Sequence, residues 1–182
     1  MAQVLDALVY LHSLGLIHCD LKPENILVRS YRNVEVKVID LGGSCFVTDH
    51  LSSYVQSRSY RAPEVILGFP YDQKIDVWSL GCILAELWSG FVLFHNESLA
   101  TLLARVEAIV GPVPGPMKAS GHCSHKFYTR SGKLFERDED SDLYYYLEPI
   151  PSSLEEQLPA ADVHFIDFVR SLLQVSTFVL QE

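Results

Sequence analysis

Residues 76–88 carry apolar side chains on most of the circumference of a helix, with Val77, Leu80, Ile83, Leu84 and Leu87 at helical spacing and Trp78 and Trp88 beside them. A helix apolar nearly all round belongs in a core, so the rest of the chain must wrap around it. The apolar run extends to Phe94, but Ser79, Glu86, Ser89 and Gly90 interrupt it, which favours a buried helix over a membrane span. Both tryptophans are predicted to be core residues. With 182 residues, 48% of them hydrophobic and 20% charged, the chain has the length and composition of a globular unit or a piece of one.

The flanking patterns are mostly helical. Residues 2–14 place Val4, Leu5, Leu8 and Leu11 at helical spacing, and Gly15 is positioned to stop the helix. A polar cluster follows at 18–25. Residues 26–28 and 34–39 are strand-like, the second alternating strictly from Val34 to Val38, and 29–33 has the length of a hairpin loop. Residues 40–63 show no sustained period and are rich in Ser, Gly and Tyr, as a long functional loop would be. A further helix is predicted over 98–110, ended by Gly111 and Pro112. The stretch 111–160 is rich in Pro, Gly and charge; the tyrosines 144–146 within it are expected to pack. A last helix runs over 164–173.

The net charge of −9 disfavours nucleic acid and anionic membranes as partners, because both carry the same sign. The four cysteines, Cys19, Cys45, Cys82 and Cys123, are widely spaced with no C-x-x-C pair, which suggests reduced thiols and an intracellular protein. His122, Cys123 and His125 crowd one loop without a fourth partner at usable spacing, so no metal site is expected there.

The cluster His18-Cys19-Asp20-Leu21-Lys22-Pro23-Glu24-Asn25 holds residue types that phosphoryl transfer from ATP requires. That chemistry needs a carboxylate at the acceptor hydroxyl, a cation near the moving phosphoryl group and hard oxygen ligands for Mg2+. Asp20 can accept or orient the hydroxyl proton, and Lys22 supplies a cation two residues on. Asn25 offers a carbonyl oxygen, and Asp40, directly after the alternating strand, offers a carboxylate. A short Asp/Asn/Lys cluster is usually only a solvated turn. Here Asp40-Leu41-Gly42, Ala62-Pro63-Glu64 and Asp76-Val77-Trp78-Ser79-Leu80-Gly81 follow in order at compatible gaps, which a chance hit does not explain.

These motifs together resemble the C-terminal lobe of a protein kinase. Cys19, where most kinases have Arg, and the run from Tyr54 through Val55, Gln56, Ser57, Arg58, Ser59, Tyr60 and Arg61 to Glu64 resemble the dual-specificity tyrosine-regulated (DYRK) group of CMGC kinases. Leu41 and the run 71–88 are similar to its plant and algal branch. The resemblance implies a kinase-like α+β fold, here a mainly α-helical C-lobe with a small antiparallel β-hairpin and no N-lobe. It spans residues 1–175 as a partial domain, with 176–182 an atypical tail. It implies Ser/Thr phosphorylation of protein substrates, ATP and Mg2+ as cofactors, and a cytoplasmic or nuclear location. It assigns Asp20 and Lys22 to catalysis, Lys22, Asn25 and Asp40 to the nucleotide, and Asn25 and Asp40 to the metal. Tyr54 becomes an autophosphorylated tyrosine whose phosphate Arg58 and Arg61 would receive, the other reading being a plain loop aromatic. Ser52 stands where the group's first regulatory tyrosine would be. Asp76 is implied to be buried and to bond catalytic-loop amides.

Two departures from the family pattern follow. The glycine-rich loop, its lysine and the partner glutamate would precede Met1, and the start looks cut. At the other end, the family's arginine partner for the residue equivalent to Glu64 is missing, leaving Arg170 as a substitute. Two further readings therefore stand beside the kinase: a non-catalytic lobe that binds partners or competes for them, and an incomplete gene product.

Overall fold

The computed structural model describes residues 2–49, 54–138 and 141–175. Its centre is helix α3 (Lys74–Ser89), whose Ile75, Trp78, Leu80, Cys82, Ile83 and Ala85 are essentially inaccessible to solvent. Trp78 stacks on Phe94 with ring centroids 5.5 Å apart. Trp88, one helical face away, is 46% exposed and only edges the core, resting on Phe165 and donating from Nε1 to the Pro159 carbonyl at 3.1 Å. The expectation of two core tryptophans thus holds for Trp78 and fails for Trp88. Position 88 lies in the last turn of α3, where the chain emerges toward Gly90.

The first chain segment is α1 (Ala2–Ser13), which buries Val4, Leu8 and Leu11. Gly15 ends it in the left-handed conformation, φ 73°, which costs glycine nothing. Strand β1 (Leu16–Ile17) then leads into the polar cluster, and β2 (Ile26–Ser30) pairs antiparallel with β3 (Glu35–Val38), Val28 facing Val36. A two-residue strand β4 (Cys45–Phe46) returns beside β1.

The short helix α2 (Pro63–Ile66) is wholly buried against the core. Helix α4 (Leu99–Ile109) starts at a capping box, the Ser98 hydroxyl accepting from Thr101 N–H while the Thr101 hydroxyl accepts from Ser98 N–H. After α5 (Gly115–Ser120), strands β5 (Phe135–Arg137) and β6 (Tyr144–Tyr146) form a third antiparallel pair. Helices α6 (Leu154–Gln157) and α7 (Val163–Leu172) finish the described chain. Helix α7 packs on α3 closely enough that a Cβ on Gly81 would stand 2.8 Å from Leu173 Cδ2, so a larger residue there would require the Leu173 side chain to shift.

Helices dominate, as expected, but the described residues hold three two-stranded sheets and not one hairpin. The extra pairs were hidden because β1 and β4 are two residues each and β5 and β6 three, too short to show a period. The expected packing of the tyrosine triplet is also corrected. Tyr144, Tyr145 and Tyr146 are 64%, 49% and 67% exposed on a two-stranded sheet. Among the described residues no helix is long and apolar enough to cross a membrane.

Candidate active site

The polar cluster is shaped by Asp76, in the first turn of α3, where a negative charge also suits the helix dipole. Its fully buried carboxylate accepts from His18 N–H at 2.8 Å and Cys19 N–H at 3.0 Å, and His12 Nε2 stands 2.9 Å away. Cys19 is held at φ 65°, a conformation that costs a non-glycine residue about 1–3 kcal/mol and persists only under such restraint. The His18 ring braces the loop from inside, its Nδ1 accepting from Asp20 N–H at 3.3 Å and its Nε2 lying 3.0 Å from the Ile39 carbonyl.

Asp20 therefore emerges from a strained, anchored turn. One carboxylate oxygen lies 2.8 Å from Lys22 Nζ; the other accepts from Ser57 N–H at 3.0 Å and from its hydroxyl at 2.7 Å. Partial burial pushes the Asp20 carboxyl up, but the bonds from Lys22 and Ser57 outweigh it and hold it below its ordinary range. The same contact raises the Lys22 ammonium. Asn25 is buried and donates from Nδ2 to the Asp20 carbonyl at 2.8 Å, which leaves its Oδ1 as the donor oxygen for a ligand. Ile39 N–H donates to the Asn25 carbonyl at 2.9 Å and so ties the end of β3, and Asp40 after it, to the same loop. Asp40 is exposed at φ 66°, with Oδ1 accepting from Gly42 N–H at 3.2 Å.

Thus Asp20, Lys22, Asn25 and Asp40 are joined by one hydrogen-bonded loop. Ser57 was not among the residues singled out, although it makes three contacts with Asp20 and Lys22. Its only sequence signal is its place before Arg58. Gln56 was missed as well: its side chain bonds the Ile75 carbonyl, Ser79 and Ala62 N–H, and so locks the segment 56–62 onto α3.

The arginines are placed differently from one another. Arg61 is buried, donates twice to the Gln56 carbonyl and lies with its guanidinium 4.8 Å from the centre of the exposed Tyr54 ring. Burial lowers the Arg61 guanidinium, and Tyr54 opposes that shift. Arg58 instead donates to the Glu97 carbonyl at 3.1 Å. Ser52 lies outside the described residues. Cys19 and Cys45, 26 residues apart, bring their sulfurs within 3.4 Å of each other across β1 and β4, and both are free thiols. Burial raises the Cys19 thiol, and Cys45 raises it further, which makes it a poor nucleophile.

Mg2+ fits this donor set. Asn25 and Asp40 offer two hard oxygens, too few for a closed protein cage but suited to an ion that keeps waters and phosphate oxygens.

The protein kinase domain family model matches residues 1–176. The chain belongs to the protein kinase family. The DYRK-family kinase pom1 of Schizosaccharomyces pombe is 43% identical over 174 residues, 94% of this chain. The human dual specificity tyrosine-phosphorylation-regulated kinase 4 is 40% identical over 93% of it, and the dual specificity protein kinase YAK1 of Saccharomyces cerevisiae 49% identical over 69%. This is a DYRK-like kinase sequence. It spans 16% of the length of pom1 and 32% of that of the human kinase.

In this kinase sequence Glu64 is 2% exposed, and its Oε2 has no hydrogen-bond partner among the described residues. Arg170 does not compensate, since it pairs with Glu155 and Asp167. Burial pushes the Glu64 carboxyl from 4.5 up to about 7. Folding therefore favours the protonated form: its stability is full below about pH 4.5 and is lost as pH rises through about 7. The loss approaches about 3 kcal/mol at 1.36 kcal/mol per pH unit. Urea denaturation between pH 5 and pH 8 should show the wild type losing stability with rising pH, and Glu64→Gln losing markedly less. Equal pH slopes would contradict the assignment.

Proposed function

We propose that residues 1–175 form the catalytic half of a dual-specificity protein kinase that transfers the γ-phosphoryl group of ATP to Ser and Thr of proteins. The observation that carries this reading is the Asp20 carboxylate, held ionised by Ser57 and Lys22 beside Asn25 and Asp40. Asp20 receives the acceptor hydroxyl. Its lowered proton affinity suits orienting that hydroxyl and taking its proton late in the transfer. Lys22, already poised between Asp20 and Ser57, offers its ammonium to the transferring phosphoryl oxygens. Asn25 Oδ1 and the Asp40 carboxylate would hold Mg2+, which when bound with ATP supplies charge neutralisation for the phosphates.

Tyr54 is the residue phosphorylated in cis in this reading. Arg61 supports it as the cation already on the Tyr54 ring, and Arg58 as a second donor after a rotamer change. Protein substrates and an intracellular location belong to the same proposal. The plant and algal affinity rests on Leu41 and the run 71–88 alone. The intact quartet argues against the binding-only reading.

Residues 1–182 contain no G-x-G-x-x-G loop to cover the phosphates, and positioning supplies most of the rate in phosphoryl transfer. Calorimetry with Mg-ATP is therefore expected to show binding to the longest natural polypeptide containing this segment, and none to the 182-residue chain. Micromolar binding by the short chain would contradict the need for further residues. No binding by the long one would overturn the kinase assignment.

A further inference from the structure

Residues 118–133 hold four of the chain's 14 Lys and Arg and none of its 23 Asp and Glu. This reversal of sign is not smeared over a surface helix. It borders a cavity of about 650 Å3 lined by Lys118, Ser124, His125, Tyr128, Arg130 and Ser131. One wall is α5 and the other the turn 129–132, closed by Gly132 N–H donating to the Thr129 carbonyl.

The floor is rigid. Cys123 N–H donates to the Leu67 carbonyl and His122 N–H to that of Gly68, which pins the loop to the end of α2. Ser124 is buried and bonds the Lys118 carbonyl, and buried Tyr128 donates its hydroxyl to Glu107 at 3.0 Å. Lys118 is already spoken for, its ammonium 2.6 Å from Glu107 and 4.4 Å from the centre of the Tyr128 ring. The Glu107 carboxylate is thereby paired with a cation. At the mouth, the exposed side chains of Arg130 and His125 make no ion pair or hydrogen bond among the described residues. Lys126 is exposed next to His125, and Lys133 leans over Tyr146 on the neighbouring sheet.

We propose that this cavity and its rim are a docking site for an Asp/Glu-rich segment of a protein partner. A cavity with a pinned floor, hydroxyls on one wall, and the unpaired Arg130 guanidinium and the His125 ring donor at its mouth is complementary to carboxylates, and complementary charge speeds encounter and fixes register. The cations are strung along the rim without sharing one hydrogen-bond network, which suits a run of carboxylates better than a single phosphate. A long polyanion such as nucleic acid would meet the repulsion of a chain that is otherwise strongly acidic. None of the elements involved carries Asp20, Lys22, Asn25 or Asp40, so the site is separate from the candidate active site and does not depend on it.

Fluorescence anisotropy tests the proposal on the full 182-residue chain, with a dye-labelled peptide of alternating Glu and Gly, its Gln/Gly counterpart, and a phosphoserine/Gly counterpart as probes. The Glu peptide is expected to bind with salt-sensitive affinity and the Gln peptide not to bind. The double variant His125→Gln/Arg130→Gln should weaken Glu-peptide binding by about tenfold. Arg29→Gln, a distant exposed cation, should leave it unchanged. Unaltered binding by the double variant, or equal weakening by Arg29→Gln, would overturn the site. Binding of the phosphoserine peptide alone would overturn the carboxylate assignment. Both variants alter exposed side chains, and matching thermal melts separate lost binding from lost folding.

Discussion

Asp76→Ala is expected to destabilise the chain by about 3–5 kcal/mol, measured as the shift in urea-unfolding free energy at neutral pH. The carboxylate is inaccessible to solvent and satisfies two backbone N–H groups and the His12 ring. Removing it leaves His18 N–H and Cys19 N–H buried without acceptors, at about 1–3 kcal/mol each. It also releases the restraint on Cys19 at φ 65°. That loss is a large share of a domain stability of roughly 5–15 kcal/mol. Because these bonds set the direction in which Asp20 leaves the backbone, the variant should lose its loop geometry before it loses its helices. Near-ultraviolet circular dichroism would then fall at lower urea than far-ultraviolet. A destabilisation below about 1 kcal/mol, within the reach of an ordinary surface change, would show that the loop holds itself.

Much of the site was legible because its residues lie close together in sequence. His18 to Asn25 lie in one short segment, and Asp40 follows a strand whose alternation from Val34 to Val38 is plain. The burial of α3 was legible for the same reason, since its apolar circumference needs no partner to be recognised. Contacts across long gaps were not. Ser57 reaches Asp20 over 37 residues of chain, through a segment with no period, and nothing local marks its hydroxyl for that task. Gln56 is likewise fixed by partners on α3 that appear only after folding. Cys19 and Cys45 looked unrelated by spacing yet meet because β4 returns beside β1, just before Cys19. The tyrosine triplet misled for a different reason. Three adjacent aromatics suggest a core, but a strand turns neighbours to opposite faces, and β6 pairs only with β5, which leaves all three rings largely exposed.

The second large effect concerns chemistry alone. Asp20→Asn keeps the size of the side chain and can still accept from Ser57, but it removes the charge that holds Lys22 and receives the acceptor hydroxyl. Asp20 is partly exposed and its ion pair with Lys22 lies near solvent, so the cost to stability should stay within about 1 kcal/mol. The cost to the reaction should not. A positioned acid or base contributes about 10²–10⁴-fold to a rate, and that is the loss expected in kcat/KM for transfer from Mg-ATP to a serine peptide. The measurement belongs on the longest natural polypeptide that contains residues 1–182, wild type beside Asp20→Asn, with melting curves recorded for both. A collapse in kcat/KM with unchanged melting is the expected result; full activity in the variant would contradict the assignment of Asp20, and with it the candidate active site.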